Sequence, residues 1–110
     1  MNRFSFRIHF IAALALAALG ADAMSAEVVV AQKSKAFSTK KLSVKVGDTV
    51  KFVNEDPFSH NVFSLSDAKS FDLGSYGQGG SKTIVFDKAG TVEVECAVHP
   101  DMKLVIEVAK

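Results

Sequence analysis

Cysteine is nearly absent from this sequence and helical patterning is missing, which excludes several classes of protein. The 110 residues include one cysteine, Cys96, so no internal disulfide can form. The C-x-x-C-H motif of covalent haem attachment is absent. After residue 26 only three Cys and His residues remain, fewer than the four ligands of a typical structural zinc site. No segment there repeats apolar residues at a helical period, so a helical domain is not expected.

The N-terminal segment has the order of features found in a secretory signal peptide. A basic start precedes the apolar run of residues 10–19 and then Ala21-Asp22-Ala23, which fits the A-x-A cleavage pattern. We expect a signal peptide over residues 1–26, cleaved after Ala23 or Ala26, and export to the periplasm. The apolar run is shorter than the roughly 20 residues that cross a bilayer, so no stable membrane insertion is expected after cleavage. A retained interfacial anchor is the alternative.

The remaining residues, 27–110, are long enough for one small domain. They contain eleven lysines, no arginine and eleven acidic residues, so this domain has no net charge. Proteins that bind nucleic acid rely on many cationic contacts with phosphates. We therefore expect no nucleic-acid partner.

Alternation of apolar and polar residues with a period of two recurs along the domain and predicts β-strands. Gly47-Asp48 separates two such runs and predicts a hairpin turn, whereas residues 66–73 are expected to be irregular or to form one helical turn. Six to eight short strands in a domain of this size predict an all-β antiparallel sandwich or small barrel. The alternating runs are EVVVA, KLSVKV, TVKFVN, SKTIVFD, TVEVEC and MKLVIEV.

Residues 96–102, CAVHPDM, bring a thiol, an imidazole and a thioether within seven positions. In TVEVEC, Cys96 shares a face with two valines and should point into the core, where a small inert thiol is the alternative interpretation. An inward thiol also disfavours a Cys-His hydrolase. After residue 26 the other donors are His60, His99 and Met102. Two His, one Cys and one Met form the ligand set of electron-transferring copper sites.

The sequence resembles the cupredoxin family of type 1 blue copper proteins, especially its plastocyanin-, pseudoazurin- and amicyanin-like members. The resemblance rests on the His60-Asn61 pair, the FDKAGT segment of residues 86–91 and the C-x₂-H-x₂-M motif. The two-residue spacing between His99 and Met102 is similar to the short ligand loop of amicyanin. Val94 departs from the aromatic residue that many relatives have two positions before the cysteine.

The resemblance implies a Greek-key β-sandwich and a soluble monomer that shuttles single electrons between redox proteins. Such partners would be a c-type cytochrome or a periplasmic dehydrogenase or oxidase. Asn61 would tie the two ligand loops together by hydrogen bonding. One copper ion would have three equatorial ligands and one axial ligand, which are His60, Cys96 and His99, and Met102.

An apolar collar of four residues is expected around the exposed edge of His99, namely Pro57, Phe58, Val98 and Pro100. Such a collar would suit brief docking of a redox partner; ordinary loop packing is the alternative.

Copper oxidases and nitrite reductases need a second copper centre, and no histidine is left to build one, so we do not expect an enzyme. A copper storage, delivery or sensing module would use the same ligands. A metal-free interaction domain is the less favoured alternative.

Overall fold

The computed structural model describes residues 25–110, so the expected signal peptide lies almost wholly outside the described residues. This part of the chain contains nine strands and no helix; in particular, it has no helix that could cross a membrane. The strands are β1 Glu27–Lys33, β2 Ala36–Phe37, β3 Lys41–Lys45, β4 Thr49–Asn54, β5 His60–Ser66, β6 Lys69–Tyr76, β7 Ser81–Val85, β8 Gly90–Glu95 and β9 Lys103–Ala109.

The strands form two sheets whose inward faces share one core. One sheet has the order β2-β1-β4-β7 and the other the order β3-β9-β8-β5-β6. After β6 the chain crosses to the first sheet as β7, and it then returns as β8 beside β5. This return to a non-consecutive neighbour is the connection of a Greek key. The predicted all-β sandwich is confirmed.

Both sheets are mixed, although an antiparallel sandwich was expected. β1 pairs with β4 in parallel, with Glu27 opposite Thr49, and β3 pairs with β9 in parallel, with Lys41 opposite Val105. The other strand pairs are antiparallel. Alternation of side chains is the same in strands of either direction, so the sequence pattern could not reveal the parallel pairs.

The hairpin predicted at Gly47-Asp48 is wrong, because β3 and β4 lie in different sheets. Gly47 has a φ of 97° and carries the chain from one sheet to the other, with its amide donating to the Phe86 carbonyl at 2.7 Å. Buried Asp48 accepts hydrogen bonds from the amides of Ala26 and Lys45, both at 2.9 Å. These two bonds hold the pKa of the Asp48 carboxyl below its ordinary value.

The expectation of irregular or helical structure at residues 66–73 is also wrong. β5 ends at Ser66, and β6 begins at Lys69 and pairs with β5. Phe71 is half-buried and contacts core residue Phe86, with the two ring centroids 6.3 Å apart. Its neighbours Ser70 and Asp72 are exposed, so side chains in this segment alternate between the two faces as they do in a strand.

The core is built from the inward residues of both sheets, as the alternating runs predict. Phe37 and Phe52 meet edge to face within one half of it, with their ring centroids 6.0 Å apart. Cys96 and Met102 belong to the same buried cluster. The fully buried apolar residues with the largest side chains are Phe52, Phe86, Met102, Leu104, Ile106, Val30, Val50, Val62, Val92 and Val94.

Candidate metal centre

The CAVHPDM segment forms a loop between β8 and β9 that is closed by strand pairing at its base. Glu95 and Lys103, the residues on either side of the loop, are partners in the β8·β9 ladder. Within the loop, the Met102 amide donates a hydrogen bond to the His99 carbonyl at 2.9 Å. Cys96 and Met102 are each 1% exposed. The ladder therefore fixes both ends of the loop while its sulfur side chains point into the core.

His60 reaches the same place from β5, which lies beside β8 with Phe63 opposite Glu95. The Cys96 Sγ is 3.7 Å from the His60 Nδ1 and 3.9 Å from the His99 Nδ1. The two Nδ1 atoms are 3.2 Å apart. His60 is fully buried and His99 is half-buried. The structure thus brings together the three residues that the sequence singled out from two distant segments.

The chemistry of these donors fits a copper ion. One ligand atom from each of His60, Cys96 and His99 lies within 4.8 Å of the other two. Imidazole nitrogens and a thiolate are the soft and borderline donors that copper prefers. Met102, at the end of the same loop, has a buried thioether, the type of donor that occupies the weak axial position in such sites. Within the described chain, these residues are able to hold one copper ion.

Asn61 connects the two segments through hydrogen bonds. Its side-chain Oδ1 accepts a hydrogen bond from the Ala97 amide at 2.7 Å, and its own amide donates to the Cys96 Sγ at 3.5 Å. The Gln32 side chain donates to the Asn61 carbonyl at 3.4 Å. Asn61 thus joins the start of β5 to the loop that carries Cys96.

A buried polar layer lies beneath the ligands, and the sequence patterns gave no sign of it. Tyr76 is opposite His60 in the β5·β6 ladder, and its hydroxyl donates to the Gln32 side chain. Burial, with a further contribution from the negative charge of Cys96, raises the pKa of Tyr76 above its ordinary value. The Asn54 side chain donates to the Phe58 carbonyl at 2.8 Å and to the Tyr76 carbonyl at 3.0 Å. This layer holds the connection between β4 and β5 in place.

Asp56 is a further residue of the site that sequence reasoning missed. Its Oδ2 lies 2.7 Å from the His60 Nε2, and both side chains are buried. Burial raises the pKa of the Asp56 carboxyl, but hydrogen bonds from His60 and from the Lys35 and Ser34 amides outweigh this effect and bring it below the ordinary value. The sequence feature that could have pointed to Asp56 is its position, four residues before a candidate ligand histidine. The segment around it otherwise has the composition of a turn.

The four residues expected to surround the exposed edge of His99 are all exposed. Phe58 packs against both imidazoles, with its ring centroid 5.4 Å from that of His60 and 5.4 Å from that of His99. Val98 and Pro100 line a shallow groove together with His99, Lys35 and Asp101. Pro57 precedes Phe58 in the connection between β4 and β5. Apolar side chains therefore surround the exposed edge of His99, with the charged residues Lys35 and Asp101 beside them.

Comparison with known proteins identifies the family. Residues 24–109 match the copper-binding proteins of the plastocyanin/azurin family. The chain belongs to this family. The cupredoxin resemblance found in the sequence is thereby confirmed, and copper is the cofactor that this family binds.

Two relatives with related sequences illustrate the similarity. The chain is 35% identical to the methylamine utilization protein MauL of Methylorubrum extorquens over 69 residues, which cover 62% of this chain and 60% of MauL. It is 31% identical to amicyanin of Paracoccus denitrificans over 99 residues, which cover 79% of this chain and 70% of amicyanin. The match to MauL therefore spans less than two thirds of that protein's length.

Solved cupredoxin structures share the fold. A Cu(I) structure of an amicyanin variant superimposes with a TM-score of 0.70 at 27% identity, covering 74% of this chain and 81% of that one. The Cu-containing nitrite reductase NirK of Thermus scotoductus gives a TM-score of 0.71 at 32% identity, covering 76% of this chain but 22% of the reductase. Most of that reductase therefore lies outside the match.

Replacing Asn61 by alanine should loosen the loop that carries Cys96, because the Ala97 amide loses its partner. We expect the metal-free protein to lose about 0.5–1.5 kcal/mol of unfolding free energy in urea, and the copper-loaded protein to release its ion faster to a chelator. Ser38→Ala is the matched control, since it also removes a side-chain oxygen that accepts from a backbone amide, that of Ala31 at 3.0 Å. Equal rates of copper release from the two variants would contradict this role of Asn61.

Proposed function

We propose that this cupredoxin is an exported type 1 copper protein that carries single electrons between redox proteins. The observation that carries the proposal is the convergence of the His60, Cys96 and His99 donor atoms within 4.8 Å. These three residues are the proposed equatorial ligands, and Met102 is the proposed axial ligand. Copper held there would supply a one-electron couple between Cu(I) and Cu(II).

The burial of the ligands supports electron transfer over copper storage, delivery or sensing. His60 is fully buried, and Cys96 and Met102 are each 1% exposed. Ligands fixed by a packed sandwich keep nearly the same positions in both oxidation states of the metal, so little rearrangement would accompany a change of charge. A delivery module instead has to exchange its ligands with those of a recipient, which buried side chains hinder.

The surface beside His99 is the proposed docking site for redox partners. His99 is the one equatorial ligand in the described chain that solvent reaches appreciably. Exposed Phe58 and Val98 flank it, and short-lived redox complexes use small interfaces. A c-type cytochrome or a periplasmic dehydrogenase or oxidase is the proposed class of partner, met by a monomer of this chain.

Catalysis by this chain alone is not part of the proposal. His60 and His99 are the histidines after residue 9, and the proposed site uses both. A second copper centre would require additional imidazoles. The similarity to nitrite reductase covers 22% of that chain and supports a shared copper-binding fold.

Binding of Cu(II) to the metal-free protein should produce an intense blue colour that Cys96→Ser abolishes. The colour arises from covalency between thiolate sulfur and Cu(II), which a serine hydroxyl cannot reproduce. Ser64→Ala is the control, because it is also a small change at a buried position, in this case on β5. It should leave the absorption unchanged. The measurement is visible absorption during the titration. A colourless wild-type complex would contradict the type 1 assignment.

Electron exchange with a c-type cytochrome should be fast and should depend on the surface beside His99. In stopped-flow mixing, Val98→Asp should slow the second-order rate without changing the colour, because it places a charge within the apolar contact. Val29→Asp is the matched control, since both valines are 58% exposed and Val29 lies on β1. Slow exchange by the wild-type protein would favour copper delivery, and equal effects of the two variants would remove the docking assignment.

Export to the periplasm is proposed from the signal-peptide pattern, with cleavage after Ala23. The Ala26 amide donates to Asp48 Oδ1 at 2.9 Å, and its carbonyl accepts from the Thr49 amide at 2.9 Å. Cleavage after Ala26 would remove both contacts from the start of β1. We expect the mass of the periplasmic protein to correspond to a chain beginning at Met24; a chain beginning at Glu27 would contradict this choice.

A further inference from the structure

A buried carboxylate, Asp56, faces the proposed copper ligand His60 from the side opposite the other ligands. Its Oδ2 is 2.7 Å from the His60 Nε2, while the His60 Nδ1 is 3.7 Å from the Cys96 Sγ. Asp56 is 5% exposed and His60 is fully buried. The imidazole therefore lies between a fixed carboxylate and the donor cluster, with one ring nitrogen directed to each.

Asp56 is itself fixed by the turn between β1 and β2. Its Oδ1 accepts from the Ser34 amide at 2.7 Å, and its Oδ2 accepts from the Lys35 amide at 3.1 Å. Ser34 and Lys35 have φ values of 56° and 57°, a left-handed conformation that is unfavourable for residues with a side chain. The Asp56 amide also donates to the Asn54 side chain at 2.8 Å. The carboxylate consequently has little freedom to turn away from His60.

The hydrogen-bonding capacity of a carboxylate decides which ring nitrogen of His60 carries the hydrogen. An ionised carboxylate only accepts hydrogen bonds, so the Nε2 must be the donor in this pair. In a neutral imidazole the other nitrogen then has the free lone pair. That nitrogen is the Nδ1, which faces Cys96 and His99. Asp56 thus selects the tautomer in which His60 is ready to bind a metal.

We propose that Asp56 is the positioning residue of the copper centre, in that it holds His60 in the Nε2–H tautomer and places a fixed negative charge behind it. This inference rests on the proposed function for its effect on copper. A histidine that donates to a carboxylate is a more basic ligand. A nearby negative charge also stabilises Cu(II) more than Cu(I), because Cu(II) has the larger positive charge. Asp56 therefore lowers the reduction potential.

A carboxylate that only anchored turns would have none of these effects, and the chain offers a matched residue of that kind. Asp48 is 8% exposed and also accepts two backbone hydrogen bonds, from Ala26 and Lys45. It lies before β4, whereas Asp56 follows the end of that strand. Among the hydrogen bonds of the described residues, those of Asp48 include none with a histidine. Asp48→Asn therefore removes the same kind of charge and the same kind of turn contact away from the metal centre.

The test compares Asp56→Asn with Asp48→Asn in two measurements. The first is the tautomer of His60 in the metal-free protein, read from two-bond ¹H–¹⁵N correlations of the imidazole. The wild type and D48N should show the Nε2–H form. In D56N a single amide oxygen replaces two carboxylate oxygens that served three donors, so the Nδ1–H form should become populated.

The second measurement is the binding of Cu(II) and Cu(I) and the reduction potential. D56N should bind Cu(II) roughly 10- to 100-fold more weakly, as is usual when the partner of a ligating histidine is lost. Its Cu(I) affinity should fall less, and each tenfold difference between the two losses raises the potential by about 59 mV. D48N should match the wild type in both affinities.

The outcomes separate this inference from the proposed function. A D56N protein with the wild-type tautomer and potential would show that Asp56 only anchors the turn, and the inference would be wrong. An Nδ1–H form of His60 in the wild type would overturn it even if D56N failed to fold. If the wild type gave no blue complex while the tautomers behaved as described, the copper function would fail and the positioning of His60 would stand.

Discussion

The pairing of β5 with β8 is the contact on which the metal centre depends. These strands are far apart in sequence, and the pair Phe63–Glu95 sets them side by side. His60 begins β5 and Cys96 directly follows β8, so this one register brings the imidazole to the thiol. A shift of one residue would turn every side chain of a strand to the opposite face and separate the donors. The inward residues of both strands stabilise this register because they are part of the core.

The metal end of the sandwich is polar inside, and its polar groups are mutually satisfied. In residues 25–110 no buried side-chain nitrogen or oxygen lacks a hydrogen-bond partner. Gln32, Asn54 and Tyr76 connect three strands beneath the ligands. An unpaired polar group buried there would cost about 1–3 kcal/mol, so the network favours one arrangement of the loops over others. The copper ligands are thereby positioned by hydrogen bonds as well as by apolar packing.

Much of this arrangement could be predicted from the sequence. The remainder depends on how distant segments meet, which a local sequence pattern does not report. Alternation located most strands and gave the inward direction of Cys96, because it reports which face a residue occupies. The small number of donor residues pointed to His60. Strand direction and the change of sheet at Gly47 leave no trace in alternation, which is why the parallel pairs and the crossing were missed. Asp56 was missed because its role depends on a contact with His60 and on amides from a distant turn.

The parallel pairing of β1 with β4 has a consequence for how the domain folds. Parallel strands cannot be joined by a tight hairpin, so these ladders must close between distant segments. Domains dominated by such non-local pairings fold slowly, in milliseconds to seconds. The donor cluster likewise forms only on folding, since His60 and Cys96 meet only after β5 has paired with β8.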